Sequence, residues 1–119
     1  MNADREQGDY LGDILDAIYK VDVFIKDMNY DQFKSDDKTI FAVIRALEII
    51  GEATKRITEN IRTSYPKIPW REMAGIRDKL IHDYFGVNIE VVWKTATGDL
   101  PSLKPGIKKI LDQIYRDNN

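Results

Sequence analysis

Apolar residues recur at spacings of three and four along almost the whole chain. Leu11, Ile14, Leu15, Ile18, Val21, Ile25 and Met28 form the first such stripe. It predicts a long helix running roughly from Asp9 to Asn29. The polar run NYDQFKSDD then reads as a turn, with Ser35, Asp36 or Asp37 available to cap the next helix. Ile40, Ile44, Leu47, Ile50, Ile57 and Ile61 mark a second long helix ending near Arg62, with Thr54 in the one slot that is not strongly apolar. Gly51 sits inside that helix at a cost of about 1 kcal/mol relative to alanine, which close approach of another helix would justify.

SYPKIPW interrupts the pattern with two prolines. Pro69 suits the first turn of a third helix, where its missing N–H costs nothing. Trp70, Met73, Ile76, Leu80 and Ile81 supply its apolar side, and Gly86 is placed to end it. A short helix over residues 89–97, a turn bracketed by Pro101 and Pro105, and a last amphipathic helix carrying Ile107, Ile110, Leu111 and Ile114 complete the chain. No segment alternates convincingly with period two, although VVW could be a short strand in isolation. The expected fold is all-α: an antiparallel up-and-down bundle of four or five helices with short connections. It is read as a single domain over residues 9–115, with a polar segment at 1–8 and a tail at 116–119.

Composition narrows the chemistry. With 119 residues the chain is one domain with room for one core. It has no cysteine, so disulfides, a thiol nucleophile and Cys-ligated zinc are excluded. One histidine alone makes a zinc site improbable. No glycine-rich phosphate loop and no nucleophile elbow is present. The N-terminus lacks a signal-peptide layout and no apolar run approaches membrane-spanning length, so a cytoplasmic protein without membrane association is expected.

The net charge is −2, yet charge is unevenly spread. Residues 1–44 hold 5 Lys/Arg against 10 Asp/Glu, residues 45–79 hold 8 against 5, and residues 80–119 hold 5 against 5. The basic middle third leads directly into RDKLIHDYFG (Arg77 to Gly86), which contains the lone histidine, His82. Histidine exchanges protons near neutral pH. Arginine matches phosphate oxygens with a planar fork of donors. Tyrosine adds a hydroxyl and a face for stacking on a base. Arg77, His82 and Tyr84 are therefore a kit for handling a phosphodiester, or else the polar end of an ordinary helix. On one straight helix His82 stands about 140° round from Arg77, so the three do not converge on one point. Convergence needs a helix that ends near His82, side chains reaching round it, or a second copy of the motif across a two-fold axis.

RDKLIHDY also fits the R-x4-H-x-Y pattern of HEPN-domain proteins. FAVIRALEIIGEATKRI (Phe41 to Ile57), YPKIPWREMAGIRDKLIHDYFGVN (Tyr65 to Asn88) and VVWKTATGDLPSLK (Val91 to Lys104) resemble the HepT branch of that family. The likeness covers about Asp9 to Tyr115 and matches at all three motif positions. It implies a helical bundle that dimerises with the motif at the interface groove. It further implies a metal-independent endoribonuclease that needs no cofactor, the toxin of a type VII-like toxin–antitoxin pair. The implied partners are RNA, a second copy of the chain, and a small nucleotidyltransferase antitoxin, in a complex that can exceed a dimer. That antitoxin would silence the toxin by transferring AMP onto Tyr84. In this reading His82 moves protons, Arg77 holds the scissile phosphate, and Tyr84 orients a phosphate or base.

Two other readings stay open at this level: a non-catalytic helical module binding nucleotides or a partner nucleotidyltransferase, and a purely structural dimer in which Arg77 pairs with a carboxylate. Lesser candidates surround the motif. Asp78 and Asp83 could orient motif side chains, and Lys79, Lys55 and Arg56 could contact phosphates if they border the groove. Arg45, Glu48 and Glu52 share a face of the second helix, where surface ion pairing is favoured over a role for Arg45 in extending the groove's positive charge.

Overall fold

The computed structural model describes residues 3–83 and 86–117, and side chains for residues 6–80 and 86–117. Three long helices carry the fold: α1 (Ala3–Phe24), α3 (Asp37–Lys55) and α8 (Leu100–Asp117). Their order in space follows from contacts at the helix ends. The Gln7 amide near the start of α1 donates to Arg56 O just past the end of α3, and Phe24 at the end of α1 shares a groove with Ala42 near the start of α3. Gly8 lies against Ile114 and Tyr115 near the end of α8, whereas Asp22 pairs with Lys104 near its start. Both α3 and α8 thus run antiparallel to α1. This is the all-α bundle that the apolar stripes predict, and Leu11, Ile14, Ile18, Val21, Leu47, Ile50, Ile107 and Ile110 are its buried centre.

Shorter elements fill the gaps. The polar run after α1 hides α2 (Tyr30–Lys34), which Asn29 and Gln32 close reciprocally as a capping box. Its Phe33 is buried and packs on Trp93, ring centroids 5.0 Å apart. Of the three candidate caps for α3, Asp36 serves. Its carboxylate accepts from Thr39 N, and that bond, first among the causes, holds the acid below its ordinary pKa.

The second stripe divides where one long helix was expected. α3 stops at Lys55 and α4 (Glu59–Ser64) begins after the Thr58 cap. Side chains from elsewhere satisfy the interruption: Gln7 bonds Arg56 O and Thr58 N, and Arg62 bonds Thr54 O and Ile57 O. These replace the partners that a continuing helix would have provided. Thr54 is buried with its hydroxyl on Ile50 O at 2.6 Å. Helix α1 also begins at Ala3 rather than Asp9 and stops at Phe24, five residues earlier than the stripe suggests.

The expected third helix is three elements. α5 (Trp70–Ala74) follows Pro69, α6 (Ile76–Leu80) follows Gly75, and at Ile81 the backbone becomes extended. Strands β1 (Ile81–Asp83) and β2 (Gly86–Val87) form a small antiparallel hairpin with an irregularity between Ile81 and Asp83. Gly86 adopts φ +121°, a conformation that glycine supplies cheaply, so it serves a hairpin and not a helix end.

The two prolines expected to bracket a turn lie instead within α8. Pro101 occupies the first turn, where its missing N–H costs nothing. Pro105 leaves the carbonyl one turn earlier to solvent at the exposed Pro101. α7 (Ile89–Lys94), capped by Asn88, passes into α8 through one π-helical turn at residues 95–99, in which Leu100 N–H bonds Thr95 O. Among the described residues, no helix is long and apolar enough to cross a membrane.

Candidate functional site

Arg77 is an exposed residue on α6, five positions before His82 on β1. The helical advance of 100° per residue ends at Leu80, so the 140° separation computed for a straight helix does not apply. Leu80 O accepts from Asn88 N at 3.0 Å, which ties the base of the hairpin back to α6. Tyr84 lies outside the described residues, as do the side chains of His82 and Asp83.

What stands around Arg77 is described. It lines a cavity of about 220 Å³ together with Arg45, Glu48, Gly51, Glu52, Lys55 and Ala74. Gly51 makes this wall possible. A Cβ there would stand 3.1 Å from Ile76 Cγ2 and 3.6 Å from the carbonyl oxygens of Met73 and Ala74, so the glycine lets α5 and α6 lie close against α3, and a side chain there would crowd Ile76. Three cations and two carboxylates line this cavity, an excess of one positive charge. Among the described residues, Arg45 makes no ion pair with Glu48 or Glu52, and Glu52 pairs instead with Lys55 at 3.5 Å. Arg45 instead stands beside Arg77 in the lining of this cavity.

The remaining candidates separate. Lys55 borders the Arg77 cavity. Arg56 does not; its guanidinium stacks over Tyr10 at 5.9 Å. Lys79 lies on another wall of α6, paired with Asp99 at 3.1 Å. Asp78 is exposed on α6. Trp70 and Trp93 are packing residues, Trp70 donating to Tyr65 O and Trp93 stacking near Phe33 and Tyr30. Among the described residues, no group of three or more His, Asp or Glu gathers as a metal site would require.

Arg45 also belongs to a second, larger depression of about 450 Å³ between α1 and α3. Its floor is small and apolar (Ala17, Ala42, Ala46), and Asp13, Asp16 and Lys20 rim it. Next in sequence to its lining residues Ala42 and Phe24 are Phe41, 72% exposed, and Val23, 71% exposed. Phe41, Arg45, Glu48, Glu52 and Lys55 recur every three or four residues, so one outward stripe of α3 joins the apolar groove to the Arg77 cavity. Periodicity located the buried face of α3, but nothing in the pattern marked Phe41 as an exception on the polar face.

Comparison with known proteins matches residues 14–110 to the family described as Ribonuclease HepT-like. A protein of Thermococcus cleftensis named "Probable ribonuclease HepT" is 53% identical over 106 residues, covering 89% of this chain and 96% of its own. A protein of Methanocaldococcus jannaschii named "Putative RNase" is 47% identical over 105 residues, covering 88% and 90%. A third, also named "Putative RNase", from Caldanaerobacter subterraneus is 43% identical over 89 residues, covering 75% and 80%. No solved structure matches the chain significantly.

Proposed function

This chain belongs to the HepT-like ribonuclease family, and from that premise we propose that it is a metal-independent endoribonuclease acting as a cytoplasmic toxin. The observation that carries the reading to particular residues is the cavity shared by Arg77 and Arg45 at the foot of the segment bearing His82. RNA brings its own nucleophile. Neutral His82 takes the 2′-hydroxyl proton, and O2′ attacks the adjacent phosphorus. Arg77 neutralises charge on the non-bridging oxygens. The P–O5′ bond breaks, and O5′ leaves with a proton from a second, protonated imidazole. The products are a 2′,3′-cyclic phosphate and a 5′-hydroxyl.

The second imidazole is that of a second copy of the chain. A symmetric dimer over the α1–α3 groove buries Phe41, Val23 and Phe24 and brings two Arg77 cavities together, because Arg45 borders both depressions. Tyr84 provides control. A nucleotidyltransferase antitoxin directs the Tyr84 oxygen to the α-phosphorus of ATP, pyrophosphate leaves, and the tyrosine proton passes to solvent. The added nucleotide brings bulk and negative charge that repel substrate phosphates.

Inducible expression tests the toxin reading. Growth arrest by the wild-type chain, relieved by the neighbouring nucleotidyltransferase and absent for His82→Ala, is expected. Equal arrest by His82→Ala contradicts it. A mass increase of one or more AMP units on Tyr84, dependent on ATP and the partner, is expected. Its absence removes the control step alone.

A further inference from the structure

A cavity of about 590 Å³, the largest described, has no part in the site above. It opens on the face of α5–α6 away from Arg77 and is walled on its other side by the π turn and the start of α8. Met73, Ile76, Leu100 and Leu103, all buried, make an apolar floor. Thr95, in the π turn, is 1% exposed, lines the cavity, and has a hydroxyl with no hydrogen-bond partner among the described residues. Buried hydroxyls are rarely left unpaired, because the desolvation cost goes unrecovered. π turns inside helices recur at functional sites, and this one places Thr95 at the cavity wall. Neighbouring hydroxyls are already engaged: Thr97 donates to Trp93 O and Ser102 to Asp99 O.

The rim carries two cations, Arg71 and Lys79, and two carboxylates, Glu72 and Asp99, with Lys79 and Asp99 paired to each other. Its net charge is zero, which suits a neutral body better than an isolated phosphate. An apolar side chain from a protein partner would fill the floor and leave Thr95 unpaired. A flat neutral ring with a polar edge satisfies both.

We infer that this cavity receives an unpaired nucleobase of the RNA substrate, with Thr95 reading its hydrogen-bonding edge. The inference rests on the ribonuclease reading and deepens it by adding a specificity subsite. The wall separating this cavity from Arg77 is one helix, about 10 Å across. A single strand a few nucleotides long therefore reaches from the phosphate on Arg77 round α6 to the base site. Arg71, exposed at the rim, is placed to lie over the ring.

The test uses the full chain and adenosine, guanosine, cytidine and uridine as neutral probes, followed by methyl NMR of Ile76, Leu100 and Leu103. At least one nucleoside is expected to shift these methyls. Thr95→Val keeps the side-chain shape and removes only the hydroxyl. It is expected to fold with an unchanged or higher Tm and to weaken that binding roughly five- to tenfold, the size of one lost hydrogen bond. No methyl shift with any nucleoside overturns the inference, as does equal binding by Thr95→Val. In cleavage assays the same variant is expected to lose preference among substrates differing in one base near the cut, with cleavage retained. An unchanged preference overturns the base subsite while leaving the nuclease intact. Failure of the nuclease reading is seen separately, in the loss or persistence of cleavage in His82→Ala.

Discussion

Arg77 and Arg45 stand 32 positions apart in sequence and line one cavity where Gly51 lets α6 lie close against α3. That makes two residue-scale predictions. Arg77→Lys keeps the charge and loses the bidentate fork, so RNA cleavage is expected to fall at least tenfold with an unchanged melting temperature. A loss of stability with cleavage intact would instead mark Arg77 as a structural ion-pair partner. Gly51→Leu drives a side chain into Ile76 and the carbonyls of Met73 and Ala74, and overpacking of that kind costs about 1–3 kcal/mol, readable by urea denaturation. Part of this was legible from sequence. A glycine in the middle of a strong helix pattern signals close approach, but it does not say that the approaching helix carries Arg77.

Single elements show where periodicity informs and where it misleads. The apolar stripes of α1, α3 and α8 reported their buried faces correctly because each is long enough to repeat several times. The segment after Arg77 is too short to declare a period. In the linear pattern Gly86 suits a helix end, yet it sits in a hairpin at positive φ; both roles call for the same residue. Pro101 and Pro105 look like breakers in a linear pattern, yet α8 absorbs them at its first turn and its solvent side.

The N-cap of α3 yields a prediction with a defined pH window. Thr39 N–H lowers the Asp36 pKa, so the folded state binds this proton less readily than the unfolded state does. The cap's contribution is complete above the ordinary carboxylate pKa and fades as pH falls through the lowered value. Asp36→Ala is expected to melt below wild type at about pH 7, and the gap is expected to narrow as pH falls below the ordinary carboxylate range. A gap that persists in acid would show that the carboxylate charge is not what caps the helix.

At the scale of the molecule, the bundle leaves one face unlike the rest. Phe41 on α3 and Val23 on α1 are exposed near a groove floored by alanines, and Phe41 begins the stripe of α3 that ends at the Arg77 cavity. The two-fold contact proposed there would bury the exposed Phe41 ring and let one histidine per chain supply both an acid and a base. On that proposal the wild-type chain sediments as a dimer, and Phe41→Glu should leave the helical circular dichroism unchanged, sediment as a monomer and lose cleavage alongside. A monomeric variant that still cleaves would separate assembly from activity. The resemblance carried by RDKLIHDY and its flanks implies a dimer; the amphipathic pattern alone implies none, since it reports what a chain buries in itself and not what it offers to another copy.

The most direct measurement is cleavage of a defined RNA in chelator by purified wild-type chain and by His82→Ala, with the product ends identified. The account predicts 2′,3′-cyclic phosphate and 5′-hydroxyl ends from the wild type and a loss of about 10²-fold or more in the variant, the scale of a removed general acid–base. Wild-type rates from His82→Ala would contradict it.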